Sequence, residues 1–104
     1  FEAFIQRHPK DALIGNVYYW LGETYYVRED YLRAADSFRQ GFEAMPDGIK
    51  APDNLLKLSK SLILLEKNDQ ACIVLGQLLK RFAGGAEAVL FKARQEQDAL
   101  QCKK

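Results

Sequence analysis

Only four valines and one threonine stand against fourteen leucines and twelve alanines in the 104 residues. β-Branched residues favour strands and Leu and Ala favour helices, so this balance excludes a sheet as the main architecture and predicts an all-α domain. No apolar run approaches the ~18 residues that a membrane-spanning helix needs, and the chain is expected to be soluble and not membrane-embedded. Fifteen basic and fourteen acidic residues leave a formal charge of +1, without the basic excess that neutralising several phosphates requires, so nucleic acid is not expected as a partner. One histidine, His8, stands at a helix end before Pro9 with no second ligand at helical spacing, and zinc needs three or four converging ligands; no metal is expected. There is no glycine-rich phosphate loop or nucleophile elbow, and Gly84-Gly85 reads as a helix break. Glu29-Asp30 sits beside Arg28 and Arg33 as a solvated charged face, not a catalytic carboxylate pair. The chain is therefore expected to be no enzyme and to carry no cofactor. Lacking a start Met and a signal-peptide core, it is expected to be one domain cut from a longer precursor.

What is present is a repeat. A shift of 37 residues places Phe1, Phe38 and Leu75 in register, then Ile5, Phe42 and Leu79, then Pro9, Pro46 and Ala83. Leu21 falls on Leu58, Gly22 on Ser59, Tyr25 on Leu62 and Ala34 on Ala71, so that large positions stay large and small ones small. Within the first unit the order Tyr18, Leu21, Gly22, Tyr25, Ala34, Phe38, Gly41, Pro46 resembles the tetratricopeptide (TPR) signature. Gly22 and Ala34 remove side chain where two antiparallel helices approach, and Tyr18, Leu21, Tyr25 and Phe38 are expected to fill the space beside them. The second unit runs through Leu55, Leu58, Ser59, Leu62, Ala71, Leu75 and Leu78, a looser copy. Its period exceeds the usual ~34 residues by three, an excess placed in Pro46-Asp47-Gly48-Ile49-Lys50-Ala51-Pro52.

The expected organisation is a single domain over 1–104. The end of a helix occupies about 1–9, a TPR unit 12–46, a second unit 50–83, and a polar terminal helix 86–102 that caps the stack against water. Helices are expected over about 12–28 and 31–45, with Asp30 as N-cap, then from near Pro52 to Glu66, and onward to about Phe82 from a cap at Asn68 or Asp69. Antiparallel neighbours joined near residues 83–85 bring Cys72 and Cys102 to one end. Two readings stay open: a disulfide that suits an oxidising compartment, or a buried small hydrophobe and an unrelated free thiol.

The helix over 12–28 carries most of the tyrosines and the one tryptophan. Tyr18, Leu21 and Tyr25 share the packing face, so Asn16, Tyr19, Glu23 and Tyr26 turn to the concave side with Trp20 on its border. The next unit offers Asp53, Leu56, Lys57, Lys60 and Ile63 there. Aromatics flanked by lysine and carboxylate suit a groove for a peptide or partner helix; the competing reading is that a short array needs extra aromatic core.

The run Asn16-Val-Tyr-Tyr-Trp-Leu-Gly-Glu-Thr-Tyr-Tyr, then Tyr31, Ala34-Ala35 and Phe38, then Pro46-Asp-Gly-Ile-Lys-Ala-Pro-Asp-Asn-Leu-Leu-Lys-Leu, resembles the C-terminal TPR domain of the YbgF (CpoB) family of Tol-Pal system proteins. The resemblance covers about residues 1–82 and is weak over the last helix; Ser59 and Ala83-Gly84-Gly85 depart from the pattern. It implies a non-catalytic periplasmic protein of a Gram-negative bacterium that binds TolA. It also implies contact with a peptidoglycan synthase, coordinating outer-membrane constriction with peptidoglycan synthesis at cell division. Members carry an N-terminal coiled coil that makes trimers, so the full-length protein is expected to be trimeric and this segment monomeric. An oxidising periplasm favours the disulfide. The runner-up is a TPR scaffold for another outer-membrane assembly or secretion complex. A cytosolic carboxylate-gripping adaptor is disfavoured by Tyr19 and Glu23 in the groove.

Overall fold

Six α-helices follow one another in the computed structural model, which describes residues 1–103: α1 (Glu2–Arg7), α2 (Ile14–Val27), α3 (Tyr31–Ala44), α4 (Ala51–Leu64), α5 (Asn68–Arg81) and α6 (Glu87–Leu100). Local chemistry sets the starts. The Asp30 carboxylate accepts a 3.3 Å hydrogen bond from the Arg33 amide and caps α3. Pro52 and Asp53 stand in the first turn of α4, where a missing N–H costs nothing and a negative charge meets the helix dipole. The cap expected at Asn68 or Asp69 does not form. Lys67 takes the cap position without a side-chain bond. Its amide closes the end of α4 on the Leu62 carbonyl, which pulls the start of α5 forward and leaves Asn68 and Asp69 in the first turn.

The helix ends carry a device that the sequence hides. Glu29, Glu66 and Gln101 all take left-handed conformations, with φ of 61°, 61° and 56°. Each donates its amide three residues back, to Tyr26, Ile63 and Asp98 respectively, and the residue after it donates five back, to Tyr25, Leu62 and Gln97. Three helices, α2, α4 and α6, thus end in the same bonded turn. The left-handed turn costs roughly 1–2 kcal/mol in a residue other than glycine, and the satisfied carbonyls offset it.

These three helices form one layer, α2 against α4 and α4 against α6, while α3 and α5 pack behind them and α1 behind α2. The result is an α-α superhelix of antiparallel pairs. Phe38 and Leu75, aligned by the 37-residue shift, are both fully buried, as are Ala34 and Ala71. Gly22 is required by close approach: a Cβ there would stand 2.5–2.8 Å from three atoms of the Phe38 ring. Its counterpart Ser59 is also fully buried, and its hydroxyl donates back to the Leu56 carbonyl at 2.6 Å, so a small polar group is tolerated where glycine stands in the first unit. Asn54 joins the units, donating from Nδ2 to the Gly15 carbonyl at 3.3 Å from a fully buried position.

Phe38 fills the space between α2 and α3 at Gly22, and Tyr18 packs against α3 further on, its Cβ facing Gly41 and its hydroxyl donating to Gln40 Oε1. Tyr18, Leu21 and Tyr25 are half-buried and also line the cleft between α1 and α3. Pro46 lies in the connection between α3 and α4, whose Met45 folds back against Gly15. At the far end Cys72, early in α5, is disulfide-bonded to Cys102, just beyond α6, with a Cα–Cα distance of 5.6 Å.

Candidate protein-binding face

The inner layer α2–α4–α6 presents a ladder of charges and rings. Lys57 on α4 is its centre: Nζ stands 2.9 Å from Glu23 Oε1 on α2 and 3.7 Å from the centroid of the Tyr26 ring. Glu23 Oε1 is buried without a well-directed hydrogen bond, so the pair is held by charge and the ring face more than by a linear bond. Lys60, one turn on, reaches Glu96 of α6 at 4.0 Å. The ion pairs therefore bridge all three inner helices.

At the α2 end the long connection delivers a third cation. Lys50 Nζ lies 4.7 Å from the Tyr19 centroid and 5.4 Å from that of Trp20, and the two rings meet edge to face at 5.0 Å. Trp20 is 48% exposed. Tyr19 is half-buried, its ring 5.8 Å from that of Phe38. Asn16 and Asp53 are also partly exposed.

The eight residues expected to line the groove thus divide. Glu23, Tyr26 and Lys57 form one cluster; Tyr19 and Trp20 form another beneath Lys50; Lys60 pairs with Glu96; Asn16 and Asp53 take part in none of these contacts. Tyr19 and Tyr26 are partly buried and pack against the core, which is the place the extra-core reading of the aromatics gives them. Lys50 and Glu96 were not anticipated. Lys50 lies in the segment that carries the three-residue excess, at the N-cap position of α4.

Both tyrosine hydroxyls hold their protons above the usual value of 10.0, Tyr19 through burial and then Glu23 and Asp53, Tyr26 through burial and then Tyr31, Glu23 and Glu96. A tyrosine pKa raised by folding means that the unfolded chain loses these protons first as pH rises. The stability they carry is full below pH 10 and declines as pH climbs from there through the folded values. Spectrophotometric titration is expected to show phenols ionising later in the native protein than in denaturant; coincident curves would contradict this burial.

A family model described as a tetratricopeptide repeat matches residues 53–84, the span of α4 and α5. The fold is a TPR superhelix. A comparison with curated proteins finds no match. The repeat points to a protein–protein interaction module, which fits a non-catalytic role. The disulfide fits a compartment outside the cytoplasm, and among the described residues no helix is long and apolar enough to cross a membrane.

Proposed function

We propose that the inner face of α2, α4 and α6 binds a segment of TolA in the periplasm of a Gram-negative bacterium, as part of a protein of the YbgF (CpoB) kind. In that role the domain helps coordinate outer-membrane constriction with peptidoglycan synthesis at cell division, with a peptidoglycan synthase as a further partner. Three things support the reading: the Tyr-Tyr-Trp-Leu-Gly-Glu and Lys-Ala-Pro-Asp sequences, the disulfide, and above all the half-exposed Trp20 held beside Tyr19 under Lys50. A tryptophan kept in water at this cost is a natural anchor for a partner, since Trp and Arg or Tyr dominate the energetics of such interfaces.

The test is calorimetric titration of the domain with the periplasmic part of TolA. Saturable binding is expected, weakened about thirtyfold or more by Trp20→Ala if Trp20 is a central anchor. Trp20 is exposed enough for its removal to leave the circular dichroism and melting of the domain nearly unchanged. A folded wild-type domain that gives no heat with TolA would turn the assignment to a scaffold of another outer-membrane assembly.

A further inference from the structure

The outer layer is open where the inner one is closed. Helices α1, α3 and α5 nowhere bring Cα atoms within 8 Å of one another, so a groove runs between α1 and α3 over α2, and another between α3 and α5 over α4. The 37-residue shift maps one onto the other. Leu21 and Tyr25 in the first floor become Leu58 and Leu62, and Asp36 and Ser37 on the wall become Ile73 and Val74.

Their chemistry differs in one direction. In the first groove the polar groups serve one another: the Tyr18 hydroxyl donates to Gln40 Oε1 at 3.2 Å and the Tyr25 hydroxyl to Glu2 Oε1 at 3.0 Å. The second groove, about 400 Å³, has Leu58 and Leu62 on its floor, and Leu32 and Ile73 on its opposite walls are 67% and 63% exposed. Such recessed apolar surface favours burial at roughly 25 cal/mol per Å². A second recess between the same two helices, lined by Phe42 and Gln77, lies towards the far end of α5.

The charges at the two ends say what should lie there. Arg39 is held by Asp36 and Glu43, and Arg81 by Asp47 at 3.0 Å. Lys67 lines the recess at one end of the α3/α5 furrow and Lys80 the recess at the other, and neither forms an ion pair among the described residues. They flank α5 thirteen positions apart, roughly 20 Å along a helix. We propose that the α3/α5 groove docks an amphipathic helix of a partner protein, about three to four turns long, with an apolar stripe at i, i+3 and i+7 and carboxylates at both ends. This surface is separate from the inner face.

The probe is a synthetic alanine-based helical peptide of about four turns, with leucines at i, i+3 and i+7, glutamates at each end and a fluorescent label. A matched peptide carries lysines in place of the glutamates. Anisotropy titration of the whole domain at low salt is expected to show the acidic peptide binding at least about tenfold tighter than the basic one. Leu32→Asp with Ile73→Asp, both at exposed positions, is expected to weaken it about tenfold or more. Lys67→Glu with Lys80→Glu is expected to reverse the preference between the peptides, and Trp20→Ala to leave it unchanged. Equal affinity for the two peptides, or loss of binding in Trp20→Ala but not in the Leu32/Ile73 variant, would overturn the assignment. So would sedimentation showing a dimer of the wild-type chain that Leu32→Asp dissolves, since the occupant would then be a second copy.

Discussion

Replacing Gly22 by leucine is expected to lower stability by about 2–4 kcal/mol, and the melting temperature by roughly 10–25 °C for a domain of this size. Even the first added atom has nowhere to go. A Cβ at this position meets three atoms of the Phe38 ring at 2.5, 2.7 and 2.8 Å, closer than such atoms approach. Phe38 is fully buried and the Tyr19 ring stands 5.8 Å away, so the ring cannot swing aside, and α2 must lift from α3. Gly76 supplies the control on the same chain. It stands inside α5 with nothing within 4 Å of its would-be Cβ, so Gly76→Ala should gain up to ~1 kcal/mol from helix propensity alone. Calorimetric melting of both variants beside wild type decides the matter. An unchanged melting temperature for Gly22→Leu would mean that α2 and α3 are not in contact at this glycine.

Size and spacing carried most of the fold into the sequence. The pairs Ala34/Ala71 and Phe38/Leu75, aligned by the 37-residue shift, are fully buried at all four positions. Helix-forming composition and the breakers at Pro9, Pro46 and Gly84-Gly85 located the helices. What composition conceals is any feature that depends on a third element. Tyr18, Leu21 and Tyr25 have the same helical phase as core residues, yet they stay half-buried, because they line a cleft that α1 closes only in part on the side away from Phe38 and Gly22. The left-handed ends at Glu29, Glu66 and Gln101 use residues with no preference for that conformation, so no local signal marks them. On the inner face, the turning of Glu23, Tyr26 and Lys57 to one side followed from helical phase. Their closure into a cluster depends on how near α2 lies to α4, which Gly41 helps to set: its absent Cβ makes room for Asn54 Nδ2 and Tyr18 Cβ at 2.7 and 2.8 Å. Lys50 belongs to neither helix and could be placed only once the connection was seen to fold over Tyr19 and Trp20.

Opening the disulfide, by a dithiol reductant or by Cys102→Ser, is expected to cost about 3–4 kcal/mol, and roughly 12–30 °C in melting temperature. The bond joins positions 30 residues apart, and a loop of that length removes much of the freedom of the unfolded chain. The loss should also fall unevenly. α6 rests on α5 and, less extensively, on α4. It buries Leu90, Ala93 and Gln97, and beyond these its last turn is tied down by Cys102 to the start of α5. The outer face of α6, including Phe91 at 57% exposure, meets water. Without the bridge, the amides of α6 are expected to exchange with solvent faster than those of α2 and α3, whose contact through Gly22 and Phe38 the bond does not touch. Hydrogen exchange followed peptide by peptide, on oxidised and reduced protein, distinguishes two causes. Acceleration confined to α6 and the start of α5 means that the bond acts chiefly by holding the terminal helix on the stack. Uniform acceleration across all helices means that it acts through the unfolded chain alone. A reduced protein that melts where the oxidised one does would reject both.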